Sequence, residues 1–293
     1  MLLVNFTAMK NKLLKSQKQV NLIYQNILQE QLKFKAKIKV NLAIIWIGDN
    51  FSTKIFIKNK IKICQKLNFS SSLYHFSKIN FNQLKSLINK LNQSKDIHGI
   101  LLQLPLPEEL KLYEKKITSL ISKEKDVDCF NLLNYGKFCQ NFDINTYPCI
   151  VKATQILLDD YHIATKSKNI LIISNSNLIG KPLTNFFLFK NATIIVCNIF
   201  TKKIKKFLKI SDIIFSATGV QNFFKPKDIK KNCIIFDLGI NKNSKNKITG
   251  DLKYQKFLKK VRYITPVPGG IGPLTIAVLM QNLWNLYLKQ IKK

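Results

Sequence analysis

Short apolar segments rich in β-branched residues alternate with longer amphipathic segments rich in lysine along the chain. The first kind is typical of buried strands and the second of helices that have one face against a core. The pattern predicts strands at 40–48, 71–76, 98–104, 169–174, 192–198, 212–217 and 233–239. It predicts helices at 10–34, 52–68, 81–93, 108–121, 150–161, 179–190, 202–209 and 274–291. This alternation indicates an α/β fold with mostly parallel sheets.

The same pattern predicts two domains. Four strands between 169 and 239 are separated by connections long enough for crossovers, as in a Rossmann-like, doubly wound nucleotide-binding domain. A chain of 293 residues also has room for about two domains of ordinary size. We expect a catalytic domain from 1–148 plus 267–293, a Rossmann-like domain at 149–266, and an active-site cleft between them.

The composition excludes several classes of protein. Hydrophobic residues make up 46% of the chain and aromatic residues 11%, which is enough for a sizeable core and excludes a disordered chain. No apolar run reaches the roughly 18 residues of a membrane span, and the N-terminal segment does not resemble a secretory signal. Six scattered cysteines without a C-x-x-C pair indicate free thiols in a reducing cytoplasm, and the three histidines show no metal-binding spacing.

The charge of the chain is strongly unbalanced, with 48 basic and 16 acidic residues and a formal net charge of +32. Such a surface attracts polyanions, so a basic nucleic-acid-binding protein on an enzyme-like fold is one interpretation. However, Arg262 is the only arginine. Proteins that bind phosphate usually use arginine as well, because its planar guanidinium makes bidentate contacts. We therefore favour a general compositional drift towards lysine, with at most non-specific binding of nucleic acid.

The segment 169–183 has the arrangement of a phosphate-binding turn. An apolar strand leads into Ser174-Asn175-Ser176, and Gly180-Lys181-Pro182 then opens a helix. The N–H groups of a helix N-terminus and its positive dipole end favour a phosphate, although this is not a G-x-G-x-x-G fingerprint. The next strand ends in 196–203 without a carboxylate, whereas an NAD site places an acid there to bind the ribose. The absence of that acid favours NADP.

Glycine and proline are scarce, and they concentrate in a few short stretches. The densest is Pro266-Val-Pro268-Gly269-Gly270-Ile-Gly272-Pro273, for which we expect a fixed loop, with Thr275 opening the last helix. Three glycines exceed what a turn needs, so the backbone of this loop is a candidate for close contact with a ligand. A tight connection between domains is the alternative.

Several polar residues are candidates for catalysis. Phe56 and Lys60 are neighbours on one face of the helix 52–68, at the edge of its apolar stripe, where a partly buried lysine loses basicity. A solvated lysine is the alternative. Gln103 ends the strand 98–104, where a parallel strand delivers side chains to a site. Asp126 and Asp128 follow in Lys125-Asp-Val-Asp128, either as ligands for an amino-bearing ring or as an exposed loop pair.

Together these segments resemble the bifunctional methylenetetrahydrofolate dehydrogenase/methenyltetrahydrofolate cyclohydrolase (FolD) family. The matching motifs are Gly99-Ile-Leu-Leu-Gln-Leu-Pro-Leu-Pro107, Lys125-Asp-Val-Asp128, Asp237-Leu-Gly-Ile-Asn241, Gly250-Asp251 and Tyr263-Ile-Thr-Pro-Val-Pro-Gly-Gly-Ile-Gly-Pro-Leu-Thr275. They occur in the family's order and spacing, and the resemblance runs from about residue 40 to 285.

The resemblance implies an NADP-dependent oxidation of 5,10-methylenetetrahydrofolate to the methenyl cation, followed by hydrolysis to 10-formyltetrahydrofolate, in one-carbon metabolism and purine biosynthesis. It also implies a homodimer, with the Rossmann-like domain as the interface. Lys60 would then assist proton movement, Gln103 would orient Lys60, and Asp128 would hold the pterin ring. The folate pocket would be lined by Phe56, Leu104, Pro268, Gly269 and Gly272. The dinucleotide would be contacted by Ser174, Asn175, Ser176, Ile199 and Ile240.

The chain departs from the family pattern at several of these positions. Phe56 stands where the family usually has tyrosine, so the ring remains while its hydroxyl is lost. Ser174-Asn175-Ser176 replaces a glycine-led turn, and Asn198-Ile199 replaces a pair that includes 2′-phosphate donors. Cys129 replaces a glycine, and Ile150-Val151 replaces Thr-Pro. The folate side therefore follows the family more closely than the dinucleotide side, and a single-activity or weakened member of the family is the alternative.

Overall fold

The computed structural model describes residues 12–34, 38–142, 146–242 and 247–292. The described residues divide into two compact units. The three-stranded unit draws on Asn21–Cys149 and Ile276–Lys293, and the five-stranded unit draws on Met1–Val20 and Ile150–Thr275. Both contain parallel sheets with helices, so the predicted two-domain α/β fold is confirmed. The predicted domain limits differ from these units at residues 12–20, 149 and 267–275.

The three-stranded unit is built around a short parallel sheet. Its strands are β1 (Asn41–Ile47), β2 (Ser70–Phe76) and β3 (Gly99–Leu102), in the order β2-β1-β3. Its helices are α2 (Phe51–Lys66), α3 (Phe81–Gln93), α4 (Glu108–Lys111), α5 (Glu114–Leu120) and α6 (Leu132–Cys139). The central strand β1 is buried from Leu42 to Ile47, which explains its continuous apolar sequence.

One face of β1 forms a core with α3 and α5. Ala43, Ile45 and Ile47 point to this face, as expected for alternate residues of a strand. They pack with the apolar stripe of α3, which is formed by Leu84, Ile88 and Leu91. Helix α3 begins at a capping box, in which the Asn80 side chain accepts from the Gln83 N–H and the Gln83 side chain accepts from the Asn80 N–H.

The five-stranded unit contains β4 (Asn169–Ile173), β5 (Thr193–Cys197), β6 (Ile213–Ser216), β7 (Ile234–Asp237) and β10 (Tyr263–Ile264). The strand order is β10-β7-β6-β4-β5. The chain therefore places β5 on one side of β4 and then crosses to β6 on the other. Ligands of open parallel sheets bind at such a reversal, outside the carboxyl ends of the strands. A small hairpin of β8 (Asn241–Lys242) and β9 (Ile248–Thr249) follows β7.

Helices and short helical turns surround this second sheet. They are α7 (Cys149–Asp160), α8 (Gly180–Phe189), α9 (Ile204–Ile210), and 3₁₀ turns at Pro226–Asp228 and Tyr254–Lys256. Alternate residues of β4, β6 and β7, including Leu171, Ile214 and Ile235, form one core cluster. Phe215 and Phe236 stack with ring centroids 4.6 Å apart on neighbouring strands. The remaining helices are α1 (Gln17–Gln31) and α10 (Ile271–Ile291), and the longer part of each belongs to the three-stranded unit.

All seven predicted strands are found, but three predicted helices differ. The helix predicted from residue 10 begins at Gln17, because Leu13 pairs with Ile264 of β10 and does not join the helix. Residues 10 and 11 lie outside the described residues. The helix predicted over 108–121 is two helices, because the Tyr113 N–H donates to the Leu110 carbonyl in a tighter turn. The last helix begins at Ile271 rather than near Thr275, since proline is tolerated in a first helical turn. Across the described part of the chain, no helix combines the length and apolarity needed to cross a membrane.

Candidate active site

Helix α2 places Phe56 and Lys60 on one side, where both are half-buried. Ile57 and Cys64, on the adjacent stripe, are buried in the core. The Lys60 Nζ donates a hydrogen bond of 2.8 Å to the Gln103 Oε1. Lys60 is therefore a held side chain at the edge of the core, and the solvated-lysine interpretation of the sequence is wrong.

Gln103 is fixed by three contacts immediately after β3. Its N–H donates to the Ile45 carbonyl at 2.9 Å, which continues the pairing of β3 with β1. Its Nε2 donates to the Leu104 carbonyl at 2.8 Å. Because the amide nitrogen is held by this bond, the amide oxygen faces Lys60. Leu104 itself is half-buried next to this contact.

Asp128 is half-buried in the loop between α5 and α6, and its charge acts on Lys60. Burial raises the pKa of Asp128, and the positive charge of Lys60 lowers it less. Burial also lowers the pKa of Lys60, against the negative charge of Asp128. Both shifts favour the neutral forms. A lysine and a carboxyl group with such pKa values can exchange a proton more readily than two solvated groups.

Cys149 joins this group and was not singled out in the sequence. Its thiol hydrogen-bonds with the Asp128 side chain, and burial raises its pKa well above that of a free thiol. Its sulfur is also 3.7 Å from the Asn282 Nδ2 and 3.8 Å from the Val127 carbonyl oxygen. One feature of the sequence could have drawn attention to Cys149, which directly follows Pro148 and precedes the predicted helix 150–161. We refer to Lys60, Gln103, Asp128 and Cys149 as the Lys60 cluster.

Asp126 has a structural role that separates it from Asp128. It is buried, and its carboxylate accepts from the N–H groups of Phe130 and Asn131 and from the Asn134 side chain. These bonds fix the turn that leads into α6. The exposed-pair interpretation is therefore wrong for Asp126. Cys129 lies in this turn with φ of 62°, a conformation that glycine adopts more easily than other residues.

The glycine-rich loop lies in the five-stranded unit. Pro268 and Gly269 in the loop and Gly272 in the first turn of α10 are exposed, and a Cβ added to Gly269 or Gly272 would meet no atom within 4 Å beyond its own chain neighbours and helical turn. Gly269 has φ of 98°, so it requires glycine for its backbone conformation. The hydroxyl of Ser16 anchors the loop by donating to the Gly270 carbonyl at 2.5 Å. The loop thus presents open backbone surface on a fixed frame.

The turn between β4 and α8 has the close packing that a phosphate-binding turn needs. A Cβ on Gly180 would overlap the backbone of Ser174 and Asn175, so only glycine lets α8 begin this close to the end of β4. The Ser176 Oγ accepts from the Ile179 N–H at 3.1 Å and lies 3.1 Å from the Ser174 Oγ. Asn175 and Ser176 are exposed at this turn. The residues present therefore fit the pyrophosphate of a dinucleotide.

Two other predicted dinucleotide contacts lie at the ends of different strands. Ile199 follows β5 and is 92% exposed, and Ile240 follows β7 and is 55% exposed. The strands β4 and β6 lie between β5 and β7, so the two positions are separated by three strand spacings, or about 14 Å. That separation suits the two ends of an extended ligand that crosses the carboxyl edge of the sheet.

Comparison with known proteins agrees with this arrangement. The catalytic-domain model of tetrahydrofolate dehydrogenase/cyclohydrolase matches residues 14–128, and the NAD(P)-binding-domain model of the same family matches residues 148–291. The bifunctional protein FolD of Mycoplasma capricolum is 42% identical over 257 residues, which covers 87% of this chain and 89% of that protein.

Solved structures are similar over nearly the whole chain. The bifunctional dehydrogenase/cyclohydrolase from Campylobacter jejuni is 35% identical, with a TM-score of 0.88 over 94% of this chain and 98% of that one. The bifunctional enzyme from Thermoplasma acidophilum is 27% identical, with a TM-score of 0.84 over 96% of this chain and 100% of that one. The resemblance seen in the sequence motifs is confirmed, and the chain belongs to the tetrahydrofolate dehydrogenase/cyclohydrolase family.

Proposed function

We propose that the chain oxidises 5,10-methylenetetrahydrofolate to 5,10-methenyltetrahydrofolate with NADP and hydrolyses the product to 10-formyltetrahydrofolate. The observation that carries this proposal is the 2.8 Å hydrogen bond between Lys60 and Gln103 beside Asp128. A lysine of lowered pKa releases its proton more readily than a solvated lysine does, and hydrolysis of a cationic substrate requires such a proton transfer.

Each residue of the site has a proposed task. When bound, the nicotinamide would accept the hydride that leaves the one-carbon bridge. Lys60 moves the proton of the water that attacks the methenyl carbon, and Gln103 holds the Lys60 ammonium group in place. Asp128 binds the amide and amino edge of the pterin ring. Phe56 and Leu104 of the three-stranded unit, and Pro268, Gly269 and Gly272 of the five-stranded unit, are the further residues that we propose to contact the folate.

We assign dinucleotide binding to the five-stranded unit, which includes nearly all of the predicted domain 149–266. We assign folate binding chiefly to the predicted domain 1–148 plus 267–293. The proposed contacts are Ser174, Asn175, Ser176, Ile199 and Ile240. NADP is proposed over NAD because no carboxylate follows β5 in 196–203. Titration with both dinucleotides measures the preference directly.

The proposal is tested by assaying the two steps separately in the purified full chain. Methylenetetrahydrofolate with NADP or NAD reports the oxidation, and methenyltetrahydrofolate supplied directly reports the hydrolysis. Replacing Lys60 by methionine (Lys60→Met) should slow hydrolysis by about 100-fold or more. Lys62→Met, an exposed position on the same helix, is the matched control and should leave both rates unchanged. A chain that performs neither step with either dinucleotide would contradict the proposal.

One observation favours a second candidate, a dehydrogenase with weak cyclohydrolase activity. Phe56 has no hydroxyl to pass a proton beside Lys60, whereas the family usually has tyrosine at this position. The ratio of the two rates distinguishes the candidates. If Phe56→Tyr raises hydrolysis while oxidation is unchanged, the weakened form is correct; if the wild-type rates are comparable, the hydroxyl is dispensable.

We further propose a homodimer in the cytoplasm. β5 is an edge strand of its sheet, and Val196 on it and Leu188 on α8 are exposed apolar side chains of the kind that a partner covers. All six cysteines are free thiols, which suits a reducing compartment. Sedimentation equilibrium measures the subunit number. Binding of nucleic acid is proposed to be non-specific at most.

A further inference from the structure

Asp251 is a fully buried carboxylate near the carboxyl edge of the five-stranded sheet, and the proposed chemistry gives it no task. Its Oδ2 accepts hydrogen bonds from the Ser216 hydroxyl (2.8 Å), the Thr218 N–H (2.7 Å) and the Thr218 hydroxyl (2.9 Å). Its Oδ1 accepts from the Asn241 Nδ2 at 2.9 Å. A buried carboxylate is unfavourable unless donors surround it, so these four bonds belong to one coordinated arrangement.

The donors lie in two separate segments that follow neighbouring strands. Ser216 is the last residue of β6 and Thr218 lies two residues further on, whereas Asn241 opens β8, directly after Ile240. Both segments are at the carboxyl ends of parallel strands, beside the point where the chain reverses across β4. A dinucleotide on such a sheet lies across these ends. Asp251 therefore ties together the two segments that would flank the dinucleotide on the β6–β7 side.

A second carboxylate holds Asp251 in place. The Asp237 Oδ1 accepts from the N–H groups of Asp251 and Gly239, both at 3.0 Å, and its Oδ2 accepts from the Leu252 N–H at 2.9 Å. A Cβ on Gly239 would overlap the Asp251 carboxylate, and a Cβ on Gly250 would overlap the Asp237 carboxylate. The backbone is therefore closed around both carboxylates, which leaves little freedom for Asp251.

We infer that Asp251 is a positioning residue for dinucleotide binding. It holds the segments 216–218 and 240–241 in the conformation that receives the nicotinamide half, because the β5 side of the sheet takes the adenosine ribose in this type of fold. The inference rests on the proposed dinucleotide-binding function of this unit. In an asparagine at this position, an NH₂ group replaces one of the two accepting oxygens. This NH₂ group cannot accept the hydrogen bonds that now reach that oxygen, so one of the two segments would lose its bond to residue 251.

The test combines a binding measurement with the two activities. Asp251→Asn in the full chain is titrated with NADP by calorimetry and assayed for oxidation and, with methenyltetrahydrofolate supplied directly, for hydrolysis. We expect the Kd and KM for NADP to rise about tenfold or more, because hydrogen bonds to a charged group are lost. Hydrolysis, which needs no dinucleotide and uses the Lys60 cluster, should stay within about twofold of wild type, because the cluster belongs to the three-stranded unit whereas Ser216, Thr218 and Asn241, the donors to Asp251, belong to the other.

The matched control is Asp212→Asn. Asp212 directly precedes β6, at the amino ends of the strands of the same sheet. Its carboxylate accepts a hydrogen bond from the Asn169 N–H at 2.9 Å. This variant should bind NADP as wild type does. An unchanged Kd in Asp251→Asn, or equal losses of binding and hydrolysis, would overturn the inference.

If Asp251→Asn does not fold, Ser216→Ala decides the question. It removes one donor to Asp251 from a buried position. A raised Kd for NADP with normal hydrolysis supports the inference, and an unchanged Kd overturns it. Wild-type protein that binds neither NADP nor NAD overturns it as well. Wild-type protein that binds NADP but lacks both activities contradicts the proposed function alone, because the calorimetric comparison of variants still applies.

Discussion

Burial changes the acid–base behaviour of several residues more than neighbouring charges do. At the Lys60 cluster, burial lowers the pKa of Lys60 and raises the pKa of Asp128, and the attraction between the two opposes both shifts. A solvated pair would remain ionised over the whole neutral range. The cluster is thus suited to proton transfer because its residues are half-buried in the three-stranded unit. The nearby thiol of Cys149 stays protonated and serves as a hydrogen-bonding partner.

The buried carboxylate of Asp237 should make stability depend on pH. Burial and the charge of Asp251 raise its pKa to about 6, although three backbone N–H groups oppose this. The folded protein therefore holds this proton more tightly than the unfolded chain does. Its contribution to stability is present below pH 4 and is lost as the pH rises from about 4 to 6, amounting to about 3 kcal/mol.

Comparison with Asp237→Asn isolates this effect, because asparagine resembles the protonated acid and does not titrate. We expect the free energy of unfolding of the variant, minus that of wild type, to rise by about 3 kcal/mol between pH 4 and pH 7. Urea denaturation at each pH measures it. A difference that stays constant with pH would show that Asp237 does not titrate in this range.

Asp212→Asn is the control of opposite sign. Burial raises the pKa of Asp212, but the hydrogen bonds from Lys230 and from the Asn169 N–H, with the charges of Lys230 and Lys168, lower it more. The net shift is downward, so the stabilisation by Asp212 is present above its unfolded pKa and is lost as the pH falls. The free energy of unfolding of this variant, minus that of wild type, should therefore fall as the pH rises, and most of this fall should lie below about pH 4.

At the scale of elements, two glycines should respond to the same substitution with opposite signs. A Cβ on Gly180 would overlap the Ser174 backbone, so Gly180→Ala must push α8 away from β4. Gly136 lies inside α6, and a Cβ there would meet no atom within 4 Å. We expect Gly180→Ala to destabilise by about 3 kcal/mol. Gly136→Ala should stabilise by about 0.5–1 kcal/mol, because alanine has less unfolded-state freedom.

Urea denaturation midpoints of the two variants measure these effects. The prediction fails if both midpoints rise, because local helix propensity would then decide the outcome alone, and it fails if both fall, because the chain would then not tolerate alanine at either position. The paired design also separates the close approach of α8 to β4 from a general intolerance of the chain to alanine.

The elements that the sequence predicted well are those with a simple burial pattern. The strands β1 and β4 are buried along nearly their whole length and therefore have continuous apolar sequences, whereas the helix α3 buries one apolar stripe with helical spacing. The start of α1 could not be predicted, since Leu13 pairs with the distant Ile264 in preference to joining the helix. The start of α10 was also missed, because Gly272 and Pro273 are compatible with both a loop and a first helical turn.

The candidate site likewise has features that the sequence could predict and features that depend on the folded structure. Lys60 and Gln103 could be named from motifs, but their hydrogen bond depends on how α2 lies against β3. The separate roles of Asp126 and Asp128 could not be predicted, because both are acids in one short loop and only the three donors around Asp126 distinguish them. Cys149 was missed because its approach to Asp128 joins segments that are distant in sequence.

At the scale of the whole molecule, the charge of +32 is a property of the surface rather than of the site. The carboxylates Asp237 and Asp251 are buried, and the residues of the Lys60 cluster are half-buried. Over the whole chain the 48 basic residues outnumber the 16 acidic ones by three to one, so most lysines have no acidic residue to pair with. Such an excess of one sign destabilises the compact state through self-repulsion.

Added salt should therefore stabilise this protein. Raising the NaCl concentration from about 0.05 to 0.3 M shortens the screening length from about 14 to about 6 Å, which weakens repulsion between surface lysines more than it weakens buried contacts. We expect the free energy of unfolding to rise over this range. Sodium acetate at equal ionic strength is the control, because screening predicts the same rise whereas binding of a particular anion predicts different ones. A free energy that stays flat or falls in both salts would mean that local ion pairs, such as Lys230–Asp212 at 2.6 Å, outweigh the net charge.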